Sequence, residues 1–194
     1  ILCPLSAVTN VWPRQFATHA GKEVRLLPLD QRYTVKQKQE LAKEHWRQGY
    51  RDGVPAAVIV NYDSAWREPL GDYLLSVPID IVIADELHRA ANAQTKISKF
   101  MTKLGKRVPK KIGLTGTPMA QTPLNIFGQY RFLDPSIFGW SWPNFVNAYA
   151  VNQATTSGTA SYTLALHRWT SAATAALGGT IAAALGGTAD HWTD

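Results

Sequence analysis

Cysteine is almost missing from this chain, and the other things it lacks narrow its chemistry further. Its 194 residues include one cysteine, Cys3, so no internal disulfide framework can form, and we expect a reducing, cytoplasmic setting. Neither a cysteine pair nor HExxH occurs, which removes the usual ligand sets for zinc. GxSxG is absent too, and with it the strand-to-helix elbow of a serine hydrolase. Nowhere does the sequence contain GxxxxGK[ST], the loop that cradles nucleotide phosphates through backbone amides and a lysine. No apolar run approaches the roughly 18 residues of a membrane span. The opening ILCPLSAV carries no initiator methionine and no basic segment before an apolar one, so we expect neither a membrane protein nor a signal peptide.

Acidic residues are in deficit, and the deficit is local. Lys and Arg number 20 against 14 Asp and Glu. Residues 151–194 contain only Arg168, Asp190 and Asp194 of these types, which leaves 19 basic against 12 acidic residues in 1–150. The basic excess therefore lies wholly in the first part, where it favours a polyanion such as nucleic acid. Seven basic residues, Lys96, Lys99, Lys103, Lys106, Arg107, Lys110 and Lys111, fall within 16 positions that hold no acid. We read them as the solvated face of a helix and its following loop, with phosphate binding as the alternative.

What is present is an alternation of short β-branched runs with longer polar stretches, the pattern of parallel strands joined by crossover helices. Strands are expected at Ile1–Cys3, Val24–Leu29, Ala57–Asn61, Ile79–Ala84 and Lys111–Leu114. Helices are expected over VKQKQELAKEHWRQGY, over Thr95–Leu104 and over Pro123–Phe132. The strand IDIVIA is apolar on both sides, so the sheet should be covered on both faces. The fold class is α/β, a doubly wound domain with a mostly parallel sheet over residues 1–150. Residues 151–194 are a low-complexity tail of 11 Ala, nine Thr and five Gly, read as disordered or foreign, with a short Ala-rich helix at Ala172–Leu177 as the alternative.

Ligands of such sheets sit beyond the carboxyl ends of the strands. Three of the expected strands end on polar residues: Asp85 and Glu86 after IDIVIA, Pro4 to Ser6 after the first strand, and Thr115, Gly116 and Thr117 after the last. Adjacent carboxylates at a strand end can divide labour, one holding a hydrated divalent cation and the other taking a proton from a water. Mg²⁺ prefers oxygen and keeps several waters, so one carboxylate with nucleotide phosphates suffices. His88 can relay the state of that site, and the threonine hydroxyls can reach it. The competing readings are that Asp85 and Glu86 only cap a turn, and that Thr117 caps a helix begun by Pro118. Tyr62 and Trp66, in VIVNYDSAW, are assigned to packing, and Trp12 and Phe16, four apart, to the core.

Taken together, DELHR is similar to the DEAH-type second motif, LTGTP to the third motif, and ILCPLSAVTNVWPRQF to the Ia segment of the Swi/Snf-like branch of superfamily two helicases and translocases. FLDPSIFG resembles the stretch after the third motif in phage and bacterial members. The resemblance spans residues 1–150 and implies a RecA-like three-layer domain, the first of two that clamp ATP while tracking along duplex DNA. It implies that Asp85 holds Mg²⁺, that Glu86 polarises the hydrolytic water, and that His88, Thr115, Gly116 and Thr117 couple nucleotide state to movement. Pro4, Leu5 and Ser6 would lie near the DNA backbone.

Two departures qualify that expectation. Leu87 stands where the tetrad usually has a small residue. The phosphate loop and the second RecA-like domain with its arginine finger have no counterpart in the sequence, so we expect a motor fragment, incomplete at its N-terminus and inactive alone. A non-catalytic nucleic-acid-binding module and an inactive truncated product remain the alternatives.

Overall fold

The computed structural model describes residues 1–20, 23–119, 122–154 and 160–164. Five strands, β1 (Leu2–Cys3), β2 (Arg25–Leu29), β3 (Ala56–Asn61), β4 (Ile81–Asp85) and β5 (Lys110–Leu114), form one sheet in the order β2-β3-β1-β4-β5. Every pairing is parallel. Between and after them run α1 (Leu5–Asn10), α2 (Trp12–His19), α3 (Val35–Asp52), α4 (Tyr62–Ala65), α5 (Leu70–Ser76), α6 (Lys96–Gly105), α7 (Ile126–Leu133), α8 (Pro135–Phe138) and α9 (Trp142–Tyr149). This is the mostly parallel α/β, RecA-like core that the sequence leads one to expect. No described helix is long and apolar enough to cross a membrane.

Local chemistry explains the helix boundaries. α3 begins at a reciprocal capping box in which the Thr34 side chain accepts from Gln37 N and the Gln37 side chain accepts from Thr34 N, and it ends at Gly53 with φ 66°. α6 starts where Thr95 Oγ1 accepts from Ser98 N at 3.1 Å. The third expected helix is split: a single 3-10 turn covers Pro123–Asn125, capped by Thr122, and α7 follows. Thr117 caps no described helix.

Strand alternation sorts the core into two layers. Leu2, Val58, Val60, Val82 and Ala84 point to the face covered by Ala42 of α3, Leu70 and Leu74 of α5, Phe100, Met101 and Leu104 of α6, and Phe132 of α7. Cys3 and Ile59 point the other way, against Ala7 and Val8 of α1. That second cover is partial: Ile81, Ile112 and Leu114 stay 42–44% exposed at the β5 edge, so the expectation of a sheet covered on both faces holds fully for one face only. Beyond the sheet, Phe127, Phe138, Trp142 and Phe145 stack into a satellite core with ring centroids 4.9–5.7 Å apart.

The backbone of Ala150–Ala154 pairs antiparallel with Ala160–Leu164 to give β6 and β7, a feature absent from the reading of 151–194 as a structureless tail. The Ala172–Leu177 segment lies outside the described residues.

Two glycines let the rim of the sheet close up. Leu87 is buried at 1% exposure, and its side chain occupies the space a Cβ at Gly113 of β5 would need. The large residue at the tetrad's third position therefore packs into the core and leaves the turn uncrowded. On α7, a Cβ at Gly128 would overlap the carbonyl oxygens of Ala90 and Ala91, so the helix rests directly on the turn that follows β4. Gly128→Ala is expected to destabilise the domain by about 1–3 kcal/mol through that overlap. A denaturant midpoint identical to that of the parent chain would show the contact to be slack.

Candidate nucleotide and nucleic-acid site

β1, β4 and β5 are neighbours in the sheet, so the three polar strand ends share one rim. The chain leaves β4 at Asp85 and turns at Glu86, whose φ of 53° is the only positive value among described non-glycine residues. Glutamate is disfavoured in this left-handed region, at a cost of about 1–2 kcal/mol. The strained residue starts a 3-10 turn, Leu87–Ala90, that buries Leu87 and Ala90 and turns His88 back toward the strand ends.

His88 Nδ1 is the meeting point. It lies 3.2 Å from Glu86 Oε2, 3.1 Å from Thr115 Oγ1 and 3.5 Å from Thr117 Oγ1. The two threonine hydroxyls are within hydrogen-bonding distance of this nitrogen, and the carboxylate lies at ion-pairing distance from it. Thr115 Oγ1 in turn accepts from Thr117 N at 3.2 Å, which folds the Thr-Gly-Thr turn around the histidine. Glu86, His88, Thr115 and Thr117 are thus one connected unit across two strands, which a purely turn-capping role for Asp85 and Glu86 does not account for. Gly116 is exposed, and a Cβ there would meet open space. Behind it, buried Gln129 of α7 donates to Pro118 O and, at 3.1 Å, to Asn125 O. This amide ties the exit of the turn to the helix.

Asp85 is held from two directions that the sequence did not disclose. Tyr62, buried at the start of α4, reaches past the two-residue strand β1 and donates its hydroxyl to Asp85 O at 2.8 Å. Burial pushes the Tyr62 phenol above its ordinary pKa, with Asp85 adding to the effect, so the hydroxyl stays a donor. On the other side, Trp12 Nε1 donates to Asp85 Oδ2 at 3.0 Å. Trp12 and Phe16 were expected in the core; α2 contributes no fully buried side chain. Trp12 instead lies partly buried over the Cys3, Ala7, Val8 and Ile59 cluster, with its ring 6.2 Å from that of Phe16. The packing assignment of Tyr62 and Trp66 stands, with Tyr62 also in this hydrogen bond.

Pro4 ends β1, which as an imide it cannot extend, and precedes α1. Leu5 and Ser6 are exposed at the start of that helix, while Ala7 and Val8 are buried beneath. Cys3, fully buried beside them, has its thiol pushed up to about 12, chiefly by burial, so it is no nucleophile.

The basic stretch runs along α6, the loop that follows it and the start of β5. Lys96 stacks 4.7 Å from the Trp66 ring, Lys106 lies 4.3 Å from Trp140, and Lys111 Nζ donates to Gly105 O at 3.1 Å. Lys99, Lys103, Arg107 and Lys110 are exposed. Among the described residues no three His, Cys, Asp or Glu side chains cluster closely enough to hold a metal by themselves. Asp85 alone can offer an oxygen to a cation whose remaining ligands are waters or phosphates.

Comparison with known proteins bears on this rim. A family model, the SNF2-related domain, matches residues 1–172. The chain is 35% identical over 82 residues to an uncharacterized ATP-dependent helicase, YqhH, of Bacillus subtilis (strain 168), covering 42% of this chain and 14% of that protein. It is 28% identical over 140 residues to the DNA repair and recombination protein RAD54B of Homo sapiens, covering 72% of this chain and 14% of that one. Over 167 residues it is 28% identical to the transcriptional regulator ATRX homolog of Drosophila melanogaster, covering 77% and 12%. The chain therefore spans only 12–14% of the length of these relatives. In structure it resembles the Sulfolobus solfataricus SWI2/SNF2 ATPase core in complex with dsDNA, with a TM-score of 0.55 and 22% identity over 76% of this chain and 27% of that one. On the match across residues 1–172, the chain belongs to the SNF2-related domain family.

Proposed function

We propose that this chain is the first RecA-like part of an ATP-driven DNA helicase or translocase, and that in the intact protein Mg-ATP hydrolysis at this rim is coupled to movement along duplex DNA. The observation that carries the reading is the convergence of Glu86, Thr115 and Thr117 on His88 Nδ1, beside the Asp85 carboxylate. Strain stored at Glu86 in the same place supports it, since strained backbone concentrates at working sites.

The residues present fit the group. Asp85 supplies one hard oxygen, as Mg²⁺ needs when water and phosphate complete its shell. Bound there, the cation would neutralise charge developing on the transferred phosphoryl group. Glu86 takes the role of orienting and deprotonating the attacking water. His88, 3.2 Å from Glu86 Oε2 and hydrogen-bonded to the Thr115 hydroxyl, carries the state of that carboxylate to the Thr115-Gly116-Thr117 turn. Pro4, Leu5 and Ser6 face the DNA backbone, a partner supported by the dsDNA complex of the structural neighbour. Nothing among the described residues demands glycine at position 116, which supports close approach by another group.

Phosphate-loop amides and the second RecA-like domain are supplied, in this reading, by other parts of the intact protein. The exposed apolar strip of Ile81, Ile112 and Leu114, which runs along β4 and β5 to the rim at Leu114, is a surface for such a segment. A cytoplasmic setting belongs to the same proposal and rests on the single cysteine. DEAH-type chemistry and a phage or bacterial origin likewise rest on the motifs DELHR and FLDPSIFG. A second reading, nucleic-acid binding without hydrolysis, draws on the exposed Lys99, Lys103, Arg107 and Lys110.

In the intact protein, Glu86→Gln is expected to retain nucleotide binding and to lower DNA-stimulated ATP hydrolysis by at least about 100-fold, as removal of a general base does. Turnover at the parent rate would remove Glu86 from its role, and duplex binding with no hydrolysis in either protein would favour the second reading. Gly116→Ala separates function from packing. Its melting temperature should stay at or slightly above that of the parent, while DNA-stimulated hydrolysis falls; equal rates would show that nothing approaches this glycine.

A further inference from the structure

Trp12 has the geometry of a functional group without belonging to any motif that assigns it one. An indole N–H is a donor only, so the 3.0 Å contact to Asp85 Oδ2 has a single polarity. The acceptor is a carboxylate, which makes this one of the stronger kinds of hydrogen bond. The ring is seated on the α1 cluster and against Phe16, so its N–H is aimed at the carboxylate. The bond spans 73 positions of sequence and joins the start of α2 to the end of β4.

We propose that Trp12 is the positioning residue of Asp85: it occupies Oδ2 and thereby presents the carboxylate's other oxygen to the divalent cation, while linking the α1–α2 segment to the metal end of the site. The proposal rests on the reading of Asp85 as the cation-binding carboxylate. Two anchors then divide the work. Tyr62 fixes the main chain of Asp85 through its carbonyl, and Trp12 fixes the side chain. Oδ1 takes no hydrogen bond from the described residues. Because Trp12 follows α1, whose exposed Leu5 and Ser6 lead toward the nucleic acid in the proposed function, displacement of α1 by DNA would turn the Asp85 carboxylate. Groups that orient a metal ligand through a hydrogen bond are worth about 10–100-fold in metal affinity.

The test uses Mn²⁺ as the probe, titrated into the intact protein in the presence of a non-hydrolysable ATP analogue and read as loss of the free-Mn²⁺ electron paramagnetic resonance signal. Trp12→Phe keeps an aromatic ring on the α1 cluster and removes the N–H donor together with part of the ring. The expected result is a Mn²⁺ midpoint raised about 10-fold or more, measured at a temperature where both proteins are fully folded. Equal midpoints would overturn the proposal alone. A Mn²⁺ midpoint unmoved by Asp85→Ala would overturn the cation assignment, and the proposal with it. Should Trp12→Phe fail to fold, the Trp12 indole N–H signal in the parent and in Asp85→Ala decides the matter. It should move upfield and exchange faster with water in the variant; an unmoved signal would overturn the proposal.

Discussion

One imidazole nitrogen organises this rim. His88 Nδ1 stands within 3.5 Å of a carboxylate oxygen from the end of β4 and two hydroxyls from the end of β5, and all four groups are at least partly exposed to solvent. Solvent-exposed pairs of this sort contribute little to stability, on the order of 0–1 kcal/mol. The network is therefore poorly explained as glue for the sheet. What the contacts do is join the ends of two strands through one ring nitrogen.

The surroundings hold that nitrogen in place at a cost elsewhere. Glu86 accepts a left-handed conformation so that the chain can reverse and bring His88 over the strand ends. Leu87 compensates by filling the space above Gly113, and Gly128 lets α7 seat directly on the turn. Gln129, Tyr62 and Trp12 then fix the backbone of the Thr-Gly-Thr exit, the backbone of Asp85 and the carboxylate of Asp85 in turn. Buried side chains thus define a site whose reactive atoms remain accessible, the division of labour expected where a ligand must enter and leave.

Much of this was legible in the residues. Strands β2 to β5 announce themselves as β-branched or leucine-rich runs, and their ends are marked by the first polar residues after them, which is why Asp85, Glu86 and Thr115 could be placed on one rim. Apolar spacing marked α3 and α6, and the structure adds their caps, Thr34 with Gln37 and Thr95. The family expected from DELHR and LTGTP is the one to which the chain belongs. Trp12 was not legible: its spacing to Phe16 reads as an apolar helical stripe, and no local rule links position 12 to position 85. Tyr62 escaped for the same reason, since its hydroxyl crosses a strand too short to block it. Short helices such as α4 and α8, and the β6–β7 pair among Ala, Thr and Gly, lack the length or periodicity on which such reading depends.

Charge and topology point to the same conclusion from different levels. Parallel strands bring their carboxyl ends together, polar residues collect where the apolar runs stop, and one histidine connects them into a unit, which the proposed function reads as a link between nucleotide and nucleic acid. The most direct measurement is a double-mutant cycle between His88 and Thr115, made with alanine in the intact protein and read in the DNA-stimulated rate of ATP hydrolysis. The two substitutions should be strongly non-additive, with a coupling energy of about 1 kcal/mol or more. Effects that simply add would contradict the account, because the ends of β4 and β5 would then act independently.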